Sequence, residues 1–245
     1  TKNENPRNFL PLVTNGLQLL AQHGAFVGIH YHSNAAAAEG VLGAIRTAGH
    51  DGILLKADLT DEMQANTVVD NLVKRAGRLD ILVNNAGSPV GRASIESCTL
   101  DLWRRALDVN LTSAFLVTRR AIPHLRRSGR GSIINVISLS TRTGGANGAG
   151  PYAAAKGALE VFTRTLAREL APQVRANSIC PGVIDTPHHE AFSTPERMAQ
   201  YAKETPLARN GAPEEVAWAI LFLASDAASF VNGALLDING GRFLR

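Results

Sequence analysis

The chain has 245 residues, enough for one large α/β domain or two small ones. Apolar residues make up 45% and charged residues 19%, which excludes disorder as the dominant state. The 25 basic and 21 acidic residues leave a charge of only +4, and even the densest basic stretch, Arg119 to Arg130, reads as a solvated helix face, so no nucleic-acid partner is expected.

In chain order, β-type runs alternate with helix-type segments. Strands are predicted over residues 9–14, 25–31, 52–57, 80–83, 132–137, 175–179 and 235–238. Most are continuous apolar runs such as Ile81-Leu82-Val83, the pattern of strands covered on both faces. Between them, an alanine run at 35–38 suits a helix start, and Asp61 with Gln64 opens a helix to about residue 76. Leu159, Phe162, Leu166 and Leu170 mark one helical face, and Val216, Ala219, Ile220 and Leu223 another. This rhythm predicts a single α/β domain over 1–245, a doubly wound parallel sheet with helices on both faces; no Pro/Gly/Ser-rich linker divides it. No apolar run approaches the roughly 18 residues of a membrane span, and residues 1–8 carry no apolar leader core. Cys98 and Cys180 stand far apart, without CxxC or zinc-spaced histidines. Free thiols in a reducing cytoplasm and no metal site are therefore the expectation.

Doubly wound sheets bind ligands at the carboxyl ends of their strands. Thr14, His32-Ser33-Asn34, Asp58-Leu59, Asn84-Asn85-Ala86-Gly87, Ser138 and Pro181-Gly182 occupy those positions, and their small and polar character suits a nucleotide cleft. Tyr152 and Lys156, four apart, share a helical face. An ammonium beside a phenol lowers its pKa, which predicts Tyr152 as a general acid/base. Ser138, at a strand end, is preferred over Ser140 as a hydroxyl for the substrate oxygen, although both can face the same way along an extended segment. Asn110 stands inside a helical pattern where asparagine is unfavourable, which asks for a kink or an inter-element hydrogen bond.

Together Asn84-Asn85-Ala86-Gly87, Asn110, Ser138, Tyr152-xxx-Lys156, Pro181-Gly182-x-Ile184-x-Thr186 and Gly233…Asp237-x-x-Gly240-Gly241 resemble the short-chain dehydrogenase/reductase family from about residue 24 to 241. The resemblance implies a Rossmann-type, seven-stranded parallel sheet of order 3-2-1-4-5-6-7. It implies hydride transfer between a nicotinamide cofactor and a carbonyl or secondary alcohol, with Tyr152 moving the proton and Ser138 orienting the carbonyl. Lys156 would bind the nicotinamide ribose and depress the Tyr152 pKa, and Asn110 would hold a water of a proton relay. Asn84, Ala86 and Gly87 would line the cofactor floor, Asp58 and Leu59 would flank the adenine, and Pro181, Gly182, Ile184 and Thr186 would border the carboxamide. Relatives are usually homotetramers, so self-association as a tetramer or dimer is implied.

The sequence departs from the family at one place. A glycine-rich turn, TGxxxGxG, should follow the first strand, but Thr14 is followed by Asn15-Gly16-Leu17-Gln18, about eight residues short of the pattern. The nine residues 15–23, rising about 13 Å as helix, cannot return along a strand of about 20 Å and also make two turns. The reading is a segment omitted after Thr14, with a continuous chain there as the alternative; a true deletion would favour a catalytically impaired nucleotide-binding or scaffold relative. Pro11 inside that strand is a second irregularity. The second strand ends without Asp or Glu, and His32, Ser33 and Asn34 can donate to a phosphate, so NADP(H) is favoured over NAD(H); turn and N-cap roles are the structural alternative. Residues from about 187 to 210 read as a substrate lid, with His188 and His189 as lid residues rather than metal ligands. The residues after Gly87, Ser88-Pro89-Val90-Gly91-Arg92, do not match the acyl-carrier-protein reductase wording.

Overall fold

A computed structural model describes residues 11–145, 148–186 and 193–244. Two parallel sheets form its centre. One pairs β1 (Val27–Tyr31) with β2 (Gly52–Lys56); the other has the order β3 (Ile81–Asn84), β4 (Gly131–Val136), β5 (Val174–Pro181), β6 (Leu235–Ile238). Registers such as Val27↔Gly52, Ile81↔Ser132 and Ile133↔Ala176 make every pairing parallel. Helices cover both faces: α1 (Pro11–Gln22), α2 (Ala35–Thr47), α3 (Glu62–Ala76), α4 (Leu100–Leu107), α5 (Ser113–Ser128), the short α6 (Ser140–Thr143), α7 (Gly150–Glu169), α8 (Pro195–Glu204) and α9 (Pro213–Ala224).

Six of the seven expected strands are present within a residue or two. The expected strand at 9–14 is not: residues 11–14 are the first turn of α1, which runs without a break through Thr14 and Asn15. Phe9 and Leu10 lie outside the described residues. Pro11 accounts for the difference, because it starts a helix at no hydrogen-bond cost whereas in a central strand it removes a ladder donor. The helix is continuous through Thr14 and Asn15, and the strands among the described residues form two sheets, of two and four strands, so the seven-strand order is not confirmed.

Local chemistry explains the other elements. Asn34 caps α2, its Oδ1 accepting from Ala37 N–H at 3.1 Å. Asp61 caps α3 through Gln64 N–H at 2.9 Å, as the sequence indicates, while the Gln64 side chain accepts from Asp58 N–H rather than closing a box. Gly77 ends α3 in the left-handed conformation.

The core is one apolar body over Val27 and Ile29 of β1, Ile134 and Val136 of β4, Ile179 of β5 and Val216, Ile220 and Leu223 of α9. A second cluster packs Val69 of α3 and Leu125 of α5 against Ile133. Between β3, β4, β5 and the helices beside them runs a buried polar relay. Asn84 Nδ2 donates to Thr118 Oγ1 (2.9 Å) and Asn135 Oδ1 (2.8 Å). Asn135 Nδ2 donates to Thr163 Oγ1 (2.8 Å), which also accepts from Ser178 Oγ (2.9 Å) and donates to Leu159 O (2.8 Å). Thr163, 1% exposed, is the hub. Replacing it by valine keeps the shape but strands two buried donors, each costing about 1–3 kcal/mol. Thr163→Val is therefore expected to lower Tm by roughly 5–15 °C, and Thr163→Ser by much less, as read by thermal unfolding; equal stability of Thr163→Val and the parent overturns the hub role.

Candidate active site

The carboxyl edge of the four-stranded sheet gathers the polar residues. Ser138 stands two residues beyond β4 on a segment that stays paired with β5, Ile137 N–H donating to Ile179 O and Leu139 N–H to Pro181 O. Its Oγ accepts from Ser140 N–H at 3.2 Å and shares a hydrogen bond with Tyr152 in the first turn of α7. Ser138, not Ser140, is thus the serine facing the phenol; Ser140 Oγ is buried with no hydrogen-bond partner.

One turn along α7, Lys156 is 2% exposed, and its Nζ donates to Val136 O at 2.9 Å and lies 6.0 Å from the centre of the Tyr152 ring. Burial pulls the ammonium down to about 8. The Tyr152 phenol moves opposite to the sequence-based expectation: burial raises it, outweighing the hydrogen bond with Ser138. Lys156 Nζ is bonded to the Val136 carbonyl, and burial keeps the phenol protonated. Nearby, burial and Asp237 push the Cys180 thiol up to about 12, and Cys98 is the other free thiol.

The floor is the loop after β3. A Cβ on Gly87 would lie 2.7 Å from both Lys156 Nζ and Asn110 Oδ1, so only glycine lets the loop approach this closely. Asn110 sits in a π-helical turn, Asp108–Thr112, between α4 and α5, which supplies the kink its position asks for. Its Nδ2 donates to Ser88 O (2.7 Å) and Ala106 O (2.8 Å), and its Oδ1 accepts from Ser88 N–H (2.9 Å). Asn110 therefore clamps the floor loop, with both amide hydrogens committed. The Asn84 side chain belongs to the buried relay and not to the floor. The wall carries Pro181 and Gly182, whose N–H donates to Ile238 O and whose absent Cβ leaves room for Asn239. Ile184 is 2% exposed and packs into the core. Thr186 is 5% exposed, with its hydroxyl buried and unpartnered.

The remaining residues expected to bind cofactor lie on the two-stranded sheet. His32 and Ser33 are exposed beyond β1, and Asn34 is the cap of α2. Asp58 Oδ1 accepts from the N–H (2.9 Å) and Oγ1 (2.7 Å) of Thr60, which lowers its carboxyl, with Leu59 half-buried beside it. Thr14 is inside α1. A nicotinamide end thus meets a fitting set of groups: a glycine cradle over Lys156, an orphaned Thr186 hydroxyl and the Ser138–Tyr152 pair. A pyrophosphate does not, because no glycine-rich turn follows a strand among the described residues at the place it requires.

The sequence did not point to three features. Val136 O anchors Lys156, the Asn135–Thr163–Ser178 chain positions α7, and Arg142 Nη2 with Arg164 Nη1 holds buried Glu160 at 2.9 and 2.7 Å, tying α6 to α7. The unusual polar residues inside the runs Ser132–Val136 and Ala176–Cys180 were the available signal. Of the lid segment, 187–192, with His188 and His189, lie outside the described residues; the rest forms α8 and the loop to α9. Among the described residues no helix is long and apolar enough to cross a membrane and no His/Cys/Asp/Glu group could hold a metal.

A family model described as enoyl-(acyl carrier protein) reductase matches residues 17–242. The chain is 39% identical over 225 residues to a cis-4-hydroxycyclohexanecarboxylate dehydrogenase of Sinomonas cyclohexanicum, covering 91% of this chain and 89% of that protein. It is similar in structure to a 7α-hydroxysteroid dehydrogenase complexed with NADH and 7-oxo glycochenodeoxycholic acid (TM-score 0.88, 31% identity, 94% of this chain and 89% of that one). A gluconate 5-dehydrogenase from Burkholderia cenocepacia J2315, in complex with NADP and tartrate, matches with TM-score 0.87 and 30% identity over 96% of this chain and 92% of that one.

Burial of Lys156 has a stability signature. Below pH 8 the fold carries a buried ammonium; between 8 and 10.5 the folded side chain is neutral while the unfolded one still binds its proton, so stability rises with pH across that window. The parent is expected to gain on the order of 3 kcal/mol relative to Lys156→Met between pH 7.5 and 10.5; a pH-independent difference in denaturation midpoints overturns the assignment.

Proposed function

The chain belongs to the short-chain dehydrogenase/reductase family of oxidoreductases, and from that premise we propose that it transfers a hydride between NADP(H) and the carbonyl or carbinol carbon of a small-molecule substrate. The observation that carries the reading is the convergence of Ser138 and Tyr152, with Lys156 one turn along α7 above Gly87. A bound nicotinamide supplies or accepts the hydride. Tyr152 Oη gives its proton to the substrate oxygen in reduction and takes it back in oxidation; its raised pKa keeps it in the form that reduction consumes. Ser138 Oγ donates to the same oxygen, where charge develops in the transition state. Lys156 Nζ, anchored on Val136 O, meets the cofactor ribose. Asn110 holds the floor, and in this reading a relay water takes the second lone pair of its Oδ1, whose first accepts from Ser88 N–H. Gly87, Ala86, Pro181, Gly182 and Thr186 border the nicotinamide, with Ile184 acting through its backbone.

The NADP(H) preference rests on β1 ending in Tyr31 and exposed His32 and Ser33 without a carboxylate, while the Asp58 carboxylate is engaged by Thr60. Relatives solved with NADH and with NADP both occur, so the preference is a reading of these residues alone. The segment from 193 to 210 is read as part of a substrate lid. Self-association as a tetramer or dimer is supported by Trp218 and Phe222 of α9 and Leu236 of β6, apolar side chains left exposed. Free Cys98 and Cys180 suit a reducing cytoplasm. The alternative is a catalytically impaired nucleotide-binding relative, favoured by the helical conformation of residues 11–14 where a phosphate turn is expected.

Tyr152→Phe is expected to lower turnover by about a hundredfold or more in a screen of ketones and secondary alcohols, with circular dichroism unchanged; undiminished turnover rejects the role. The ratio of kcat/KM for NADPH over NADH is expected to exceed one, and a clear NADH preference rejects the cofactor choice.

A further inference from the structure

We propose that Arg142, seated on Glu160, is a positioning residue that keeps Ser138 aimed at the substrate oxygen during turnover. The inference rests on the dehydrogenase reading above and adds an ion pair to the groups that serve it.

Ser138 is held by an element that cannot hold itself. Its Oγ accepts from Ser140 N–H at 3.2 Å and its carbonyl from Thr141 N–H at 3.0 Å. Both donors belong to α6, so the seat of α6 decides where the hydroxyl points. α6 is one turn of four residues, with no side-chain cap and no fully buried residue. Gly144 and Gly145 follow it, both in the left-handed conformation. A single helical turn is unstable by itself, because few hydrogen bonds offset the cost of ordering it. Its hydroxyls supply no outside tie among the described residues. Ser140 Oγ and Thr141 Oγ1 have no hydrogen-bond partner, and Thr143 Oγ1 accepts from nearby Gly145 N–H.

Arg142 does leave the turn. Its Nη2 donates to Glu160 Oε1 at 2.9 Å. Glu160 stands on α7, two turns along from Tyr152 and one from Lys156, on the same helical face. Its side chain is only 7% exposed. Burial pushes this carboxyl up, but Arg164 and Arg142 more than offset that and hold it below the usual carboxylate range, so the anchor stays ionised. The two arginines differ in reach. Arg164 lies four residues along α7 and is half exposed, so its 2.7 Å bond stays within the helix. Arg142 crosses from α6. The pair is also close to the reacting groups: the Cys180 thiol, which Tyr152 feels, responds to Arg142 and Glu160 after burial and Asp237.

The segment from Ser138 to Arg142 is thus clasped to α7 at two points, Ser138 on Tyr152 and Arg142 on Glu160. The reaction opens the first. A substrate oxygen that takes hydrogen bonds from both Ser138 Oγ and Tyr152 Oη stands between them, and their direct bond is gone. The ion pair then keeps the two hydroxyls at their working separation. A charged, directional bond in a poorly hydrated site suits that task. Without it α6 is free to turn, and the Ser138 hydroxyl leaves the oxygen where charge develops.

The test compares Arg142→Met, Arg164→Met and Ser138→Ala in the full chain. Each arginine variant leaves Glu160 one guanidinium, so neither strands the buried carboxylate. With a substrate that the parent turns over, single-turnover hydride transfer is read by nicotinamide absorbance. It is expected to slow about ten- to a hundredfold in Arg142→Met and to stay within about twofold of the parent in Arg164→Met. Substrate KM is expected to stay within about twofold in both. In the Ser138→Ala background, Arg142→Met is expected to cost less than about twofold, because the two act through one hydroxyl. Amide exchange at Ser140 and Thr141, read by NMR without substrate, is expected to quicken about tenfold in Arg142→Met and not in Arg164→Met. Equal hydride-transfer rates in Arg142→Met and the parent overturn the proposal. So does a full further loss in the Ser138→Ala background, which makes Arg142 a substrate contact. A parent that turns over no ketone or secondary alcohol overturns the dehydrogenase reading instead. The amides then decide by themselves, and unchanged exchange at Ser140 and Thr141 overturns Arg142 as the anchor of Ser138.

Discussion

Thr163 holds the carboxyl edge of the four-stranded sheet in register. Its hydroxyl receives hydrogen bonds from Asn135 on β4 and Ser178 on β5 and gives its own proton to the α7 backbone, while Asn135 is in turn bound by Asn84 at the end of β3. Apolar contacts alone let a helix slide along a sheet at little cost; a chain of directional bonds in a dry interior does not. Tyr152 lies eleven residues before Thr163, about 16 Å along the helix, so fixing α7 at the hub aims the phenol at Ser138.

The electrostatics follow from that placement. Lys156 is drawn under the floor loop to Val136 O, and its desolvated ammonium remains next to a phenol that burial keeps protonated. Gly87 admits this arrangement because it adds no atom between loop, lysine and Asn110. The π-turn completes it: one extra residue in the helix swings the Asn110 amide out of the helical ladder and onto Ser88.

Much of this was legible in the sequence. Runs such as Ile81-Leu82-Val83 announce covered parallel strands, and the spacing of Tyr152, Lys156 and Ser138 announces their meeting. Asn110 was recognisable as a misfit in a helix, although the π-turn needed coordinates. The direction of the Tyr152 shift was not legible, because spacing places the ammonium near the phenol but does not reveal how deeply the phenol is buried. Residues 11–14 misled for another reason. Leu-Val-Thr has strand propensity, but Pro11 and the short span to Gly24 favour helix, and the pairing that decides a strand is not written locally.

The relay also divides the molecule mechanically. It stitches β3, β4 and β5 to α5 and α7, whereas among the described residues β1 meets β4 and β5 through the apolar cluster of Val27, Ile29, Ile134, Val136 and Ile179. Among the described residues, strand pairing stops at the same boundary. His32, Ser33 and Asp58 therefore stand beyond the reach of the relay, whereas Ser138, Tyr152 and Lys156 stand on the sheet and helix that it braces.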